Sequence, residues 1–132
     1  MNQIAGSISR AAVNGATVVV GTEAGDVINV TIQLQTGKDG ALVDLAQRAA
    51  VQVYLSDDAN GDALAGTAPS GGIAIGTDGL LIENVANKAG MVVSEADGDI
   101  DINITEAGVD TWYLVLVMPD GSLIVSGAIT FA

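Results

Sequence analysis

The stretch "DIDINIT" (Asp99–Thr105) sets the expectation for the fold. Isoleucine occupies every second position, and aspartate or asparagine stands between the isoleucines. A period of two places alternate side chains on opposite faces of an extended chain, so the stretch predicts a half-buried β-strand with one wet face. We therefore expect a domain that is built from strands of this kind.

Four other stretches predict strands. "VINVTIQLQ" (Val27–Gln35) and "VQVYLS" (Val51–Ser56) repeat the alternation of apolar and polar residues. "TWYLVLVM" (Thr111–Met118) is apolar on both faces and predicts a central strand. "SLIVSGAITFA" (Ser122–Ala132) predicts a last strand, with a bulge or a close approach of another backbone at Gly127.

The connections between these stretches carry turn chemistry. Asp-Gly pairs, which tolerate left-handed backbone angles, stand at 39–40, 78–79, 97–98 and 120–121. Two segments stay open at this point. "ALVDLAQRAA" (Ala41–Ala50) fits a short helix or a bulged strand, and the glycine-rich segment Gly71–Met91 fits short strands or a protruding loop.

Together the patterns predict an all-β fold, an antiparallel β-sandwich of the immunoglobulin-like kind, with a jelly-roll or a small barrel as the alternative. A length of 132 residues fits one domain. We assign residues 25–132 to the sandwich. Met1–Ala24 is rich in small and β-branched residues and has little charge, which indicates a first strand or an N-terminal arm that docks on a neighbour.

The charge balance restricts the partners. Four basic residues stand against sixteen acidic ones, for a formal net charge of −12. Affinity for nucleic acid comes largely from Lys and Arg, so we expect no nucleic-acid partner and favour a basic or neutral protein surface. No apolar run approaches the roughly 20 residues that span a bilayer, and the start lacks the pattern of a secretory signal. We therefore expect a soluble protein that is used without export and has no membrane partner.

The residue types also argue against an enzyme. The chain has no His and no Cys, so the common nucleophile–base pairs and zinc sites cannot be built. Carboxylate catalysis on sugars would need an aromatic cleft, but Trp112 is expected in the core, and Tyr54 and Tyr113 alone make a poor platform. "GTDGLL" (residues 76–81) lacks the lysine of a phosphate-binding loop. We expect no catalytic residue and no cofactor.

The acidic stretch "SDDANGDALAG" (Ser56–Gly66) suggests a calcium loop at first sight. Oxygen-bearing side chains stand at alternate positions, as in the first half of such a loop: Asp58, Asn60 and Asp62. However, the sixth position is Ala63 where glycine is needed, and the twelfth is Pro69 where a bidentate Glu belongs. We predict a polar turn with Asn60-Gly61 at its tip and assign no metal ligand; a looser cation site at an interface is the alternative.

Two runs of sequence resemble small structural proteins of tailed bacteriophages: "VQVYLSDDANGDALAGTAPSGGIAIGTDGLLIENV" (residues 51–85) and "VVSEADGDIDINITEAGVDTWYLVLVMPDGSLIVSGAITFA" (residues 92–132). In that family an apolar strand, an acidic loop, a glycine-rich middle and a hairpin like "TWYLVLVMPDG" follow in this order. The resemblance covers about residues 25–132.

The resemblance implies a virion component, and among virion roles a capsid decoration, or head cement, protein. Such proteins bind the major capsid protein on the exterior of the capsid after synthesis in the host cytoplasm. They are commonly homotrimers and often use an N-terminal arm. The family has no catalytic motif, so no site residue carries over. The alternatives are a tail accessory or head-fibre protein that binds the host surface through Gly71–Met91, and, least favoured, a host-encoded immunoglobulin-like adhesion module.

Overall fold

Two antiparallel sheets pack against each other in the computed structural model, which describes residues 12–38 and 41–132. The described residues form eleven strands and no helix. The strands are β1 (Gly15–Val20), β2 (Val27–Lys38), β3 (Ala41–Asp44), β4 (Ala50–Ser56), β5 (Gly72–Ile75), β6 (Leu80–Val85), β7 (Ala89–Val93), β8 (Asp99–Thr105), β9 (Asp110–Val117), β10 (Leu123–Val125) and β11 (Ile129–Phe131). The predicted antiparallel β-sandwich is confirmed.

The strand order is immunoglobulin-like. Sheet I has the order β1-β2-β8-β5, with β3 paired to the end of β2 beyond β8. Sheet II has the order β10-β9-β4-β7-β6, with β11 also paired to β9. The first sheet thus reproduces the order A-B-E-D of immunoglobulin domains, and β4, β9 and β10 with β11 reproduce C-F-G. The β6–β7 hairpin is inserted between the D and E positions and extends sheet II beside β4.

The core consists largely of the apolar residues of the alternating stretches. Three buried cross-strand pairs join β2 to β8: Ile28–Ile104, Val30–Ile102 and Ile32–Ile100. Trp112, on β9 of the opposite sheet, packs edge-on against Phe131 with ring centroids 6.0 Å apart. The indole Nε1 of Trp112 donates a hydrogen bond to the carbonyl of Thr67 at 3.0 Å. This bond satisfies the only polar atom of the side chain and ties the long β4–β5 connection to the core.

The predicted strands are found where the alternation placed them. Asp99–Thr105 is β8, Val27–Gln35 lies within β2, and Val51–Ser56 lies within β4. The apolar stretch Thr111–Met118 corresponds to β9, which is central because β4 pairs along one side and β10 and β11 along the other. The end of the chain breaks into β10 and β11 around Gly127.

The structure decides between the alternatives for the two segments that the sequence left ambiguous. In Ala41–Ala50 the helix alternative is wrong, because Ala41–Asp44 pair with the free end of β2 as β3, and the N–H of Leu45 continues the pairing to the carbonyl of Leu34 at 2.9 Å. The segment Gly71–Met91 is not a protruding loop. It contains β5, β6 and the start of β7.

The N-terminal segment Met1–Ala24 divides in two. Residues 15–20 form β1, which pairs with β2 and directs alternate side chains at the core. Residues 1–11 lie outside the described residues, so the arm stays a prediction, as does the boundary at residue 25. Deleting the whole of Met1–Ala24 would remove β1 from sheet I.

Truncation of the β2–β8 ladder is expected to be costly. Ile102→Ala removes a fully buried side chain between the sheets, so the free energy of unfolding should fall by about 2–5 kcal/mol. Urea unfolding followed by circular dichroism measures the change. The control is Val109→Ala, because Val109 is 82% exposed and its truncation should cost less than about 0.5 kcal/mol. Equal losses in the two variants would contradict the assignment of the core.

Candidate functional site

The two outer faces of the sandwich differ in chemistry. Residues opposite one another in an antiparallel pair point to the same side, so the register defines each face. On sheet I the outward residues of β2 and β8 are polar except for Val27 and Gly37, which lie near the two ends of β2: Asn29, Thr31, Gln33, Gln35, Asp99, Asp101, Asn103 and Thr105. This is the wet face that the alternation predicted.

The outer face of sheet II carries no charge in its two exposed rows. One row crosses five strands and the other crosses three: Leu123–Val117–Gln52–Met91–Ile82, and Ala50–Val93–Leu80. We call these eight residues the uncharged face. Four of its aliphatic side chains are strongly exposed, namely Leu80 (54%), Ile82 (56%), Met91 (42%) and Leu123 (43%). Clusters of exposed apolar side chains mark interaction sites on soluble domains.

The acidic loop covers the adjoining part of the same sheet. Tyr54, which points outward from β4, donates from its hydroxyl to the carbonyl of Gly61 at 2.5 Å. Gly61 has φ +73°, and a Cβ there would lie only 3.1 Å from the Cγ2 of Val115. The loop therefore rests directly on Val115, which is fully buried although it points away from the core.

The acids of this loop mainly hold its own backbone. Asp58 accepts from the N–H of Asn60 through its carboxylate and from the N–H of Gly61 through its carbonyl, both at 2.9 Å. Asp57 accepts from the N–H of Gly66 at 2.9 Å. The stretch thus forms a local turn of the Asx type around Asn60-Gly61. Within residues 12–38 and 41–132, no three acidic side chains come together in a group that could hold a metal ion.

A groove of about 390 Å³ separates this loop from the β6–β7 hairpin. Its lining is mostly aliphatic and amide in character: Gln52, Tyr54, Asp62, Ala63, Leu64, Asn84, Val85 and Ala89. Gln52 donates to the side-chain oxygen of Asn84 at 3.4 Å, and Asp62 is the one carboxylate in the lining. The groove can receive an apolar or amide-bearing side chain. It is continuous with the uncharged face because Gln52 belongs to both.

The acids on sheet I have a different role. Asp101 is 8% exposed and accepts from the N–H groups of Thr77 and Asp78 at 2.9 and 2.6 Å, and from the side-chain amide of Asn29 at 2.8 Å. Burial alone would raise the pKa of Asp101, but these donors outweigh it and hold the pKa below its usual value. Asp101 therefore anchors the connection between β5 and β6.

Asp99, two residues earlier on the same face, is perturbed in the opposite direction. Its partial burial raises its pKa, as do a hydrogen bond with the side chain of Asp78 and the charges of Asp78, Asp97 and Asp101. The alternation of "DIDINIT" predicts that both acids face outward. It does not reveal that the Thr77–Asp78 turn lies over one of them, because that turn belongs to a distant part of the chain.

Comparisons of the chain with protein-family models, with curated proteins and with solved structures find no match. In the part of the chain that the structure describes, no helix has the length and apolar character needed to cross a membrane. The resemblance to phage structural proteins therefore stays a prediction from sequence.

The two acids of β8 should respond to pH with opposite signs. Because the folded-state pKa of Asp99 is raised, the stability from its protonated form is present at low pH and is lost as pH rises through that pKa. Asp99→Asn should therefore have a higher Tm than the parent at neutral pH, and the difference should shrink as pH falls toward about 3.

Asp101→Asn is the matched variant. It loses charge-assisted hydrogen bonds, so it should be less stable than the parent by about 1–3 kcal/mol at neutral pH. Since the pKa of Asp101 is lowered, the deficit should also shrink once acid protonates the parent. Thermal melts across the pH range measure both effects. Shifts of the same sign at neutral pH would refute the assigned environments.

Proposed function

We propose that this protein is a non-enzymatic structural component of a virion, and that it is a capsid decoration protein that binds the outside of the head lattice. The observation that carries the proposal is the uncharged face of sheet II. The chain has sixteen acidic residues, yet none of them lies in the row of the uncharged face that crosses five strands. Such a surface favours a protein partner over bulk water.

The charges around this face indicate the chemistry of the partner. Exposed acids lie on two elements that border it: Asp62 in the acidic loop and Asp120 in the β9–β10 turn. An apolar centre with an acidic rim is complementary to an apolar patch with a basic or neutral rim. We assign that patch to the major capsid protein. The rim would steer association, and burial of the aliphatic centre would supply most of the affinity.

The arrangement of the sandwich suits a shell-binding role. The uncharged face and the outer face of sheet I lie on opposite sides, so a domain bound through the first presents the second to solvent. Reinforcing a lattice requires no bond-making chemistry, only complementary area repeated over many copies. Weak contacts then add up, because each bound copy holds its neighbours' attachment points in place.

A second candidate is a tail accessory or head-fibre protein that recognises the host surface. The groove favours it, because Asn84, Val85 and Ala89 lie in the segment Gly71–Met91 and line the groove together with Tyr54. Copy number separates the two candidates. Quantitative mass spectrometry of purified particles should give a number comparable to that of the major capsid protein for a decoration protein, and only a few copies for a fibre or tail protein.

Binding to particles should depend on the uncharged face. Met91→Glu places a carboxylate at its centre, and burying that charge without a partner should reduce the affinity for undecorated particles at least about tenfold. Co-sedimentation measures the binding, and a thermal melt checks folding. The matched control is Thr17→Glu, on the outer face of sheet I, which should bind like the parent. Unchanged binding by Met91→Glu would remove the face from the interface.

The N-terminal arm needs a separate test. Deletion of residues 1–11 keeps β1, whereas deletion of Met1–Ala24 would confound loss of the arm with loss of a strand. If the arm docks on the capsid as the resemblance implies, the shorter deletion should abolish decoration while the sandwich keeps its Tm. Saturation of the particles by this variant would show that the arm is dispensable for binding.

A further inference from the structure

The groove beside the uncharged face is bounded by a floor and two walls. Its floor includes Tyr54 of β4 and Ala89 of β7, which stand opposite each other in the register of sheet II. Residues 62–64 of the acidic loop form one wall, and the end of β6, with Asn84 and Val85, forms the other. The volume of about 390 Å³ falls within the range of ligand sites in proteins, about 300–1,000 Å³.

Hydrogen bonds hold the loop wall in place before any partner binds. The hydroxyl of Tyr54 ties the loop to the floor through the carbonyl of Gly61. Lys88, in the turn of the β6–β7 hairpin, donates from its ammonium to the carbonyl of Gly66 at 3.2 Å, and so joins the hairpin to the loop. A site that is formed in advance loses little conformational freedom when a ligand enters it.

One acid of the loop takes no part in this construction. Asp57 and Asp58 accept from backbone N–H groups of the loop, whereas Asp62 makes no hydrogen bond and no ion pair with any described residue. Asp62 is also the only charged residue in the lining of the groove. Because the carboxylate of Asp62 holds no part of the fold, it is available to a partner.

The rest of the lining is uncharged. It combines aliphatic surface, two amides and one aromatic ring, and it therefore suits a side chain that is apolar along its length and carries N–H donors at its end. The aliphatic groups are Ala63, Leu64, Val85 and Ala89, the amides are Gln52 and Asn84, and the ring is that of Tyr54.

Arginine is the side chain that matches this lining. Its stem is apolar, and its planar guanidinium carries five N–H donors that can pair with a carboxylate and stack on an aromatic ring. Lysine offers a compact and strongly hydrated charge, which does not stack in this way. Arginine is enriched in protein interfaces, whereas lysine is depleted there.

We propose that the groove binds an arginine side chain of the protein partner. The guanidinium lies between the carboxylate of Asp62 and the ring of Tyr54, and the stem lies along Leu64 and Val85. The inference rests on the proposed function in one respect, since it assigns the arginine to the major capsid protein. Gln52 belongs to both the groove and the uncharged face, so one partner can cover both.

The charge of the whole chain favours a cationic occupant. The formal net charge is −12, and among the described residues that line the groove none is basic. A positive group is therefore attracted to the domain at long range and meets an unpaired carboxylate at short range. An acidic side chain would be repelled at both stages.

The first test uses two small probes on the full chain. N-acetylarginine amide should shift the side-chain amide signals of Gln52 and Asn84 in NMR spectra of the isotope-labelled protein, and the shifts should saturate. N-acetylcitrulline amide has nearly the same shape without the charge, and it should bind at least about tenfold more weakly. Equal binding of the two probes, or none, would overturn the proposal.

The second test removes the carboxylate. Asp62→Asn should weaken the arginine probe at least about tenfold and should melt like the parent, because Asp62 holds no part of the loop. The matched control is Asp26→Asn, which makes the same change at an exposed acid whose carboxylate bonds to no described residue. This variant should bind the probe like the parent. An equal loss in both variants would reduce the effect to net charge and would overturn the site.

The third test uses the chain without residues 1–11, which include Arg10. The arginine probe should bind this shorter chain and the full chain with the same affinity. Binding to the shorter chain alone would show that the N-terminal segment fills the groove, and it would overturn the assignment to a partner.

Binding to undecorated particles separates this inference from the proposed function. Asp62→Asn should reduce the affinity for particles at least about tenfold, whereas Asp26→Asn should not. Particle binding by Asp62→Asn at the parent's affinity would overturn the assignment of the arginine to the capsid. If the parent itself does not bind particles, the proposed function fails, and the two probes still decide whether the groove is an arginine site. Met91→Glu should lose the particles and keep the arginine probe.

Discussion

The ladder between β2 and β8 is the constraint on which the rest of the structure depends. Its buried aliphatic pairs fix the register, because a slip of one residue would turn every isoleucine of β8 toward water and every acid toward the core. The same register sets Asp101 on the outer face beneath Thr77 and Asp78, so it also positions the connection from β5 to β6. The central ladder thus fixes the position of the turn that precedes the edge strand β6.

Folding requires only those side chains of each strand that point into the sandwich to be apolar. The centre of sheet I follows that minimum, since the outward positions of β8 and of β2 between Asn29 and Gln35 carry amides, hydroxyls and carboxylates. Sheet II exceeds it, because Val117, Met91 and Ile82 also point outward and are aliphatic. The core does not explain these side chains, and polar residues would serve the monomer as well. The proposed function assigns them to contact with a protein partner.

The sequence predicted the parts of the fold in which local pattern and tertiary role coincide. A strict period of two in Asp99–Thr105 leaves one arrangement that buries isoleucine, and β8 has those bounds. Ala41–Ala50 was ambiguous because its pairing partner is the free end of β2, which no local pattern reveals. The uncharged face was missed for a related reason. An apolar residue pointing outward looks the same in sequence whether a loop covers it, as at Val115, or leaves it exposed, as at Val117.

High net charge and an uncharged surface act together in this chain. Sixteen acids spread over the chain oppose non-specific contact between copies, and the opposition is weakest where acids are absent. Two such places adjoin in sheet II, since Leu80 and Ile82 belong both to the uncharged face and to the edge strand β6. Repulsion elsewhere excludes competing orientations, so it contributes specificity without adding affinity.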